Sequence, residues 1–247
     1  LCQANRFERV LRPTMDEPAE RALRAERLKR FIGAKDPLLK LDFTALDGKR
    51  YRDGSANHFD ALLVGGVKAE PDGLRGPGVR FDGTGYLRVD ETAAFNVPDV
   101  TISVWVRPDV VSGRRGLLSK RLPGGGCPFV LAQNGAAVTF EAAGEDGSWP
   151  FNFGAPAGLK VGQWTHVAAV VKADTGITLY YDGVKAAEKA IVKPRVPNGD
   201  PLIIGREGWG GDPPKGDTPG FFIGTLDEIT VWGRALSAEE IAALAKR

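Results

Sequence analysis

The sequence predicts an all-β sandwich. From Leu38 onward apolar residues recur with a period of two, glycine (32) and proline (17) are abundant, and about a dozen such segments follow one another without an interleaved helical pattern. The 247 residues, 43% hydrophobic and 26% charged, suffice for one large β domain or two small ones. A net charge of +2 with dispersed basic residues gives no nucleic-acid footprint. No apolar run approaches the ~18 to 20 residues that cross a bilayer.

Residues 1–15 lack a period and read as a tail. The stretch DEPAERALRAERLKRFI then reads as a surface or bridging helix, with Pro18 in its first turn and Gly33 at its end. Glu17/Arg21, Glu20/Arg24 and Glu26/Arg30 are spaced for i,i+4 ion pairs, and Ala25, Leu28 and Ile32 give a narrow apolar stripe. Its basic face is either solvated or a dock for an acidic partner. Residues 1–37 are thus expected to form an extension, and 38–247 the β domain. The chain opens on Leu1 without a signal-peptide pattern, so a fragment or processed product is expected. Cys2 and Cys127 have no metal-ligand spacing; a single disulfide and two free thiols both remain open.

Leu39, Leu41 and Phe43 alternate with polar residues in a first strand. A polar loop from Asp47 to His58 precedes a second strand at Asp60–Val64. Strands follow at Val79–Gly83, Tyr86–Val89 and Val100–Arg107, the clearest in the chain. Further strands are expected at Gly116–Lys120, Phe129–Ala132, Ala137–Ala142, Trp164–Val171, Ile177–Tyr181, Val184–Ala190 and Leu202–Ile204. Asp182-Gly183 is a two-residue hairpin turn, because it supplies positive φ at little cost. A long loop from Gly205 to Gly220 leads into a strand at Phe221–Trp232. Ser237 with Glu240 then forms a capping box that opens a helix over Ala238–Ala245. Strand alternation separates Asp227 from Glu228 and predicts Asp227 on the apolar face with Ile229 and Val231.

The segments VRFDGTGYLRV, VTISVWVRP, QWTHVAAVV, LYYDGVKAAE and FFIGTLDEITVWGRALSAEEIAAL, with RDGSANHFDALLVGG before them, stand in the order and spacing of laminin-G-like domains. From Leu38 to Ala245 the chain resembles that branch of the concanavalin A-like lectin/glucanase superfamily. The resemblance implies a jelly roll of two antiparallel sheets with its first and last strands neighbours. It also implies a structural calcium ion, Ca2+, near those strands, with Asp227, Asp53, Asn57 and Asp42 as oxygen donors. The alternative for Asp227 is to accept loop amides without a metal.

Catalysis is not expected. The laminarinase-like Glu-x-Asp-x-x-Glu pattern is missing, Glu141, Glu145 and Asp146 have the wrong spacing, and no Gly-x-Ser-x-Gly elbow accompanies His166. His58 belongs to the polar loop, where it reaches the calcium region or faces water. Gly124–Gly126 lies between prolines and cannot open a phosphate-binding helix. Trp105, Trp164 and Trp232 fall on the more polar strand faces, where sheet packing outweighs ligand contact. Better placed for a ligand are the loop aromatics Trp149, Phe151 and Phe153 in EDGSWPFNFG and Trp209 in REGWGGDPP, since loops vary while the scaffold holds them; the alternative for Trp149 and Trp209 is burial against loop backbone. The expected function is a non-catalytic module that binds carbohydrate or protein within a larger secreted, periplasmic or cell-surface protein. An assembly domain without glycan binding is the rival, and a hydrolase with an unrecognised acid pair the weaker one.

Overall fold

The computed structural model describes residues 25–91, 93–124, 126–215 and 220–246. Two antiparallel sheets pack face to face in a jelly-roll sandwich. Its strands are β1 (Leu39–Leu41), β2 (Leu46–Asp47), β3 (Arg50–Tyr51), β4 (Ala61–Val64), β5 (Val67–Glu70), β6 (Gly78–Asp82), β7 (Tyr86–Val89), β8 (Val100–Pro108), β9 (Arg114–Lys120), β10 (Phe129–Asn134), β11 (Ala137–Glu141), β12 (Phe153–Gly154), β13 (Thr165–Lys172), β14 (Gly176–Tyr181), β15 (Val184–Ala190), β16 (Leu202–Ile204) and β17 (Ile223–Trp232).

One sheet runs β15-β14-β13-β8-β17-β6-β5, and the other β12-β11-β10-β9-β16-β7-β4-β3-β2. β8 flanks β17 on one side. On the other side β6 pairs with residues Ile223–Leu226, and β1 pairs with Ile229–Val231. The first and last strands are therefore neighbours, as the resemblance implies. Short pairs such as β2 with β3, and the strands β5 and β12, arise where a loop or turn is expected, because two to four residues carry too little period to be read.

The core lies between the sheets. Val104 and Val106 of β8, Leu118 of β9, Leu131 of β10, Phe140 of β11 and Leu226, Ile229 and Val231 of β17 are all buried there. A second, smaller cluster lies on the outer face of the β8–β17 sheet. There Ile241 of the C-terminal helix (Ala238–Leu244) covers Ala168, Val170, Tyr180 and Trp232. The helix opens with the expected capping box of Ser237 and Glu240. The β14–β15 turn places Asp182 at φ 47° and Gly183 at φ 80°, the conformation that an Asp-Gly hairpin supplies.

At the N-terminal end, residues 25–29 are helical. The anchor is Phe31, which joins the main core, while Ala25 and Ile32 are exposed and Leu28 packs partly. Glu26 pairs with Lys29 and Arg30 lies over the Phe31 ring, so the expected Glu26/Arg30 pair gives way to closer partners. Gly33, at φ 70°, donates to the Gly233 carbonyl at 2.7 Å. Glu17, Pro18, Glu20, Arg21, Arg24 and Cys2 lie outside the described residues. Cys127 is buried, and burial pushes its thiol up to about 12.

Candidate functional site

The alternation in β17 does not run through unbroken. Asp227 pairs with Trp105 and Thr230 with Ser103, so Glu228 and Ile229 together oppose the single residue Val104. This is a β-bulge, with Glu228 at φ 49°. The extra residue brings Leu226 and Ile229 onto the same core face and turns Asp227 away from it. The expectation that Asp227 shares a face with Ile229 and Val231 is thereby corrected. Asp227 is still buried, because the loop after β5 folds over it. Its Oδ2 accepts Leu74 N–H at 2.8 Å and Arg75 N–H at 3.2 Å, and its Oδ1 accepts Glu228 N–H at 2.8 Å. Burial pushes the carboxyl upward and these three amides pull against it.

The other oxygen donors are engaged separately. Asp53 Oδ1 accepts the amides of Lys40 and Ser55, both at 2.8 Å, and Oδ2 accepts Phe59 N–H at 2.8 Å and Ser55 Oγ–H at 2.6 Å. Asn57 Nδ2 donates to the Leu38 carbonyl at 3.1 Å. Asp42 accepts both the amide and the hydroxyl of Thr44. Among the described residues no three carboxylate, imidazole or thiol groups converge as a metal site. With these hydrogen bonds, Asp53 and Asp227 act as polar clamps that pin two loops onto the junction of β1, β6 and β17.

The polar groups that suggest chemistry are closed off in the same way. His166 Nε2 lies 2.8 Å from Ser103 Oγ, and both residues are buried. His166 Nδ1 has no partner among the described residues, and burial lowers the imidazole to about 4. Trp105 lies against this ring at 5.3 Å and is itself buried. Glu141 and Glu207 both bind Arg114, at 2.9 and 2.5 Å, while Asp146 pairs with Lys193 at 2.7 Å. His58 is exposed on its loop.

The loop aromatics divide. Phe151 is only 2% exposed and belongs to the main core, and Phe153 packs against that core from β12. The expected place of Phe151 on a ligand surface is corrected: it anchors the loop that carries Trp149, while Phe153 stays half-buried. Trp149 and Trp209 instead face solvent, at 43% and 47% exposure. Although 60 positions separate them in the chain, both lie against one guanidinium. The Arg121 guanidinium carbon is 4.7 Å from the Trp149 ring centre and 5.7 Å from that of Trp209.

Local structure fixes this bracket. An Asx-type turn holds the Trp149 loop, with Ser148 donating its amide and its hydroxyl to Asp146 Oδ1. In the Trp209 loop, Gly208 donates to Ser119 Oγ at 3.0 Å. A Cβ at Gly208 would fall 1.9 Å from the Arg121 carbonyl oxygen, so only glycine lets the loop approach. Buried Arg206 donates to the Glu207 carbonyl at 2.8 Å and the Gly211 carbonyl at 2.7 Å, clamping the chain on both sides of Trp209. Arg121 stands in no recognisable motif. The one local hint is a basic residue that directly follows a strand and precedes a glycine-rich turn.

Comparison with known proteins agrees with this architecture. A laminin-G-type model of the concanavalin A-like lectin/glucanases superfamily matches residues 81–242. Among curated proteins, none matches the sequence. Among solved structures, the binding domain of Paraclostridial Mosquitocidal Protein 1 superposes with a TM-score of 0.68 at 18% identity, over 85% of this chain and 52% of that one. Domain 4 of AbnA, a GH43 extracellular arabinanase from Geobacillus stearothermophilus solved with arabinotriose, gives 0.62 at 17% identity, over 85% and 98%. The binding domain of Botulinum neurotoxin DC, in complex with rat synaptotagmin II, gives 0.63 at 11% identity, over 85% and 51%. The chain thus spans about half the length of the toxin binding domains it matches. At these identities the likeness is one of fold.

Proposed function

The chain belongs to the concanavalin A-like lectin/glucanases superfamily, and from that premise we propose that it is a non-catalytic glycan-binding module of an extracytoplasmic protein. The observation that carries this reading is the convergence of Trp149 and Trp209 on Arg121 at the surface. Two half-open indoles held by separate loops offer flat apolar area, and the cation between them offers hydrogen-bond donors. A sugar presents the matching pair of features, an apolar ring face and a polar rim.

The domain of the extracellular arabinanase and the toxin binding domains lend support, since the first was solved with arabinotriose and the others are named as binding domains. The chemistry also favours binding over turnover. Arg114 holds Glu141 and Glu207, and the Ser103–His166 pair is sealed from solvent. Among the described residues no helix is long and apolar enough to cross a membrane.

A glycan array tests the proposal. The wild-type domain is expected to retain specific glycans, and the Trp149→Ala/Trp209→Ala double variant to lose them with an unchanged far-UV spectrum. Equal retention by both proteins would sink the reading.

A further inference from the structure

Arg121 differs from the other arginines around it. Arg114 is held by Glu141 and Glu207, Arg206 by two backbone carbonyls, and Arg195 by the carbonyls of Val97, Pro98 and Pro128. Among the described residues Arg121 makes no ion pair and donates no side-chain hydrogen bond; its contacts are the two indole rings. A guanidinium carries five N–H donors in a planar fork, so these donors are left for solvent or a ligand.

The fork is also held in place. Before it, Lys120 is fully buried and donates to Asn198 Oδ1 at 2.8 Å. After it, Leu122 N–H donates to Asp200 Oδ2 at 2.8 Å. With its backbone pinned on both sides and its head between two rings, Arg121 loses little further freedom when it binds.

The nearby acid that could compete is Glu207, whose field reaches Arg121. Glu207 is 3% exposed, its carboxylate is bound by Arg114 at 2.5 Å, and burial pushes its pKa up. It therefore does not serve as the counter-ion of Arg121.

We infer that the Trp149–Arg121–Trp209 bracket selects acidic glycans, with the Arg121 fork receiving a carboxylate or sulfate ester on the sugar while an indole carries the ring face. A carboxylate takes two parallel N–H bonds from such a fork and sets a negative charge against the guanidinium, which a neutral hydroxyl does not. The inference rests on the glycan-binding reading and specifies its ligand class.

The test uses an array of matched pairs: uronic-acid oligomers beside the same oligomers with carboxyls reduced to alcohols, and sulfated oligomers beside their desulfated forms. Wild-type protein is expected to bind acidic members at least about tenfold better than their neutral partners, with affinity falling as salt rises. The uronate and sulfate arms distinguish the two sources of charge. Arg121→Met, which keeps an apolar side chain between the rings, is expected to erase the preference without lowering the melting temperature. Arg121→Lys, which keeps the charge but not the fork, is expected to recover part of it. Equal binding of acidic and neutral members, or a preference that survives in Arg121→Met, overturns the inference and leaves the glycan-binding reading standing. Binding to no member overturns both.

Discussion

Asp227 Oδ2 accepts the amide of Leu74 at 2.8 Å across 153 positions of sequence, and through this bond the last strand holds down the loop that follows β5. The same loop reaches further. Arg75, whose amide also binds Asp227, donates through Nη2 to the Leu244 carbonyl at 3.2 Å, satisfying an open carbonyl at the end of the C-terminal helix. One carboxylate thus ties strand, loop and helix together.

Asp227→Ala should leave the amides of Leu74, Arg75 and Glu228 without their acceptor in a buried place. Each such group costs about 1 to 3 kcal/mol when water cannot replace the partner. Since the loop can lift and admit water, a loss of about 2 to 4 kcal/mol in urea unfolding is expected, with faster tryptic cleavage at Arg75. Unchanged stability and unchanged cleavage would show that the loop is held by something else.

Calcium removal provides an independent check on the same residue. Asp227 and Asp53 already accept three and four hydrogen bonds, so the domain should melt at the same temperature in calcium and in a chelator. A calcium-dependent rise in melting temperature that disappears in Asp227→Asn would instead show a metal ion held at this carboxylate.

How far the sequence could be read differs between elements for physical reasons. The hairpin at Asp182-Gly183 and the cap at Ser237 were legible because their determinants are local. The length and character of β17 were legible too, but its bulge was not. Glutamate has no preference for φ 49°, and Glu228 adopts it where β17 changes neighbours from β6 to β1. Phe151 and Trp149 read alike, as aromatics two residues apart in one loop, and only the packed structure separates anchor from platform. Arg121 was invisible because its significance comes from two distant loops that meet over it.

That separation of Phe151 from Trp149 is measurable. Phe151→Ala removes a core side chain and should destabilise by about 3 to 5 kcal/mol. Trp149→Ala removes an exposed ring and one cation–π contact, for which about 1 kcal/mol or less is expected. Thermal melts of the two variants side by side decide it, and similar losses would contradict the assignment of roles.

His166 should make the fold acid-sensitive. Burial lowers its folded pKa to about 4 from an ordinary 6.5. Between these values the unfolded chain binds a proton that the folded chain refuses, so stability falls as pH drops from about 6.5 to about 4, by about 3 kcal/mol in all. Glu207, Asp227 and Glu228 work in the opposite sense, because burial raises their carboxyls and acid relieves them. The wild-type profile is therefore a sum. Subtracting the profile of His166→Gln, which keeps a donor and an acceptor for Ser103, should isolate a slope confined to that window. A flat difference would mean that the imidazole titrates normally.

Glu228 offers a change that should stabilise the protein. Its left-handed backbone conformation costs a non-glycine residue about 1 kcal/mol. Its carboxylate is disfavoured as well, first by burial and then by the neighbouring charge of Asp227. The side chain forms no ion pair among the described residues, so little is lost when it goes. Glu228→Gly removes both penalties but adds the greater unfolded-state freedom of glycine, about 0.5 to 1 kcal/mol. A net gain of about 0.5 to 1 kcal/mol is expected at pH 7. Glu228→Gln separates the two contributions, because it removes the charge and keeps the strain. With its folded pKa raised, Glu228 is unfavourable once pH exceeds its unfolded value, so the gain from Gln should be present at neutral pH and vanish below about pH 4. The additional gain of Gly over Gln should persist at both, since backbone strain does not titrate. Glu228→Ala keeps the strain and removes the charge, and should fall with Gln. A Gly variant less stable than Ala would mean that the bulge is set by packing around β1 and β6 and stores no strain at Glu228.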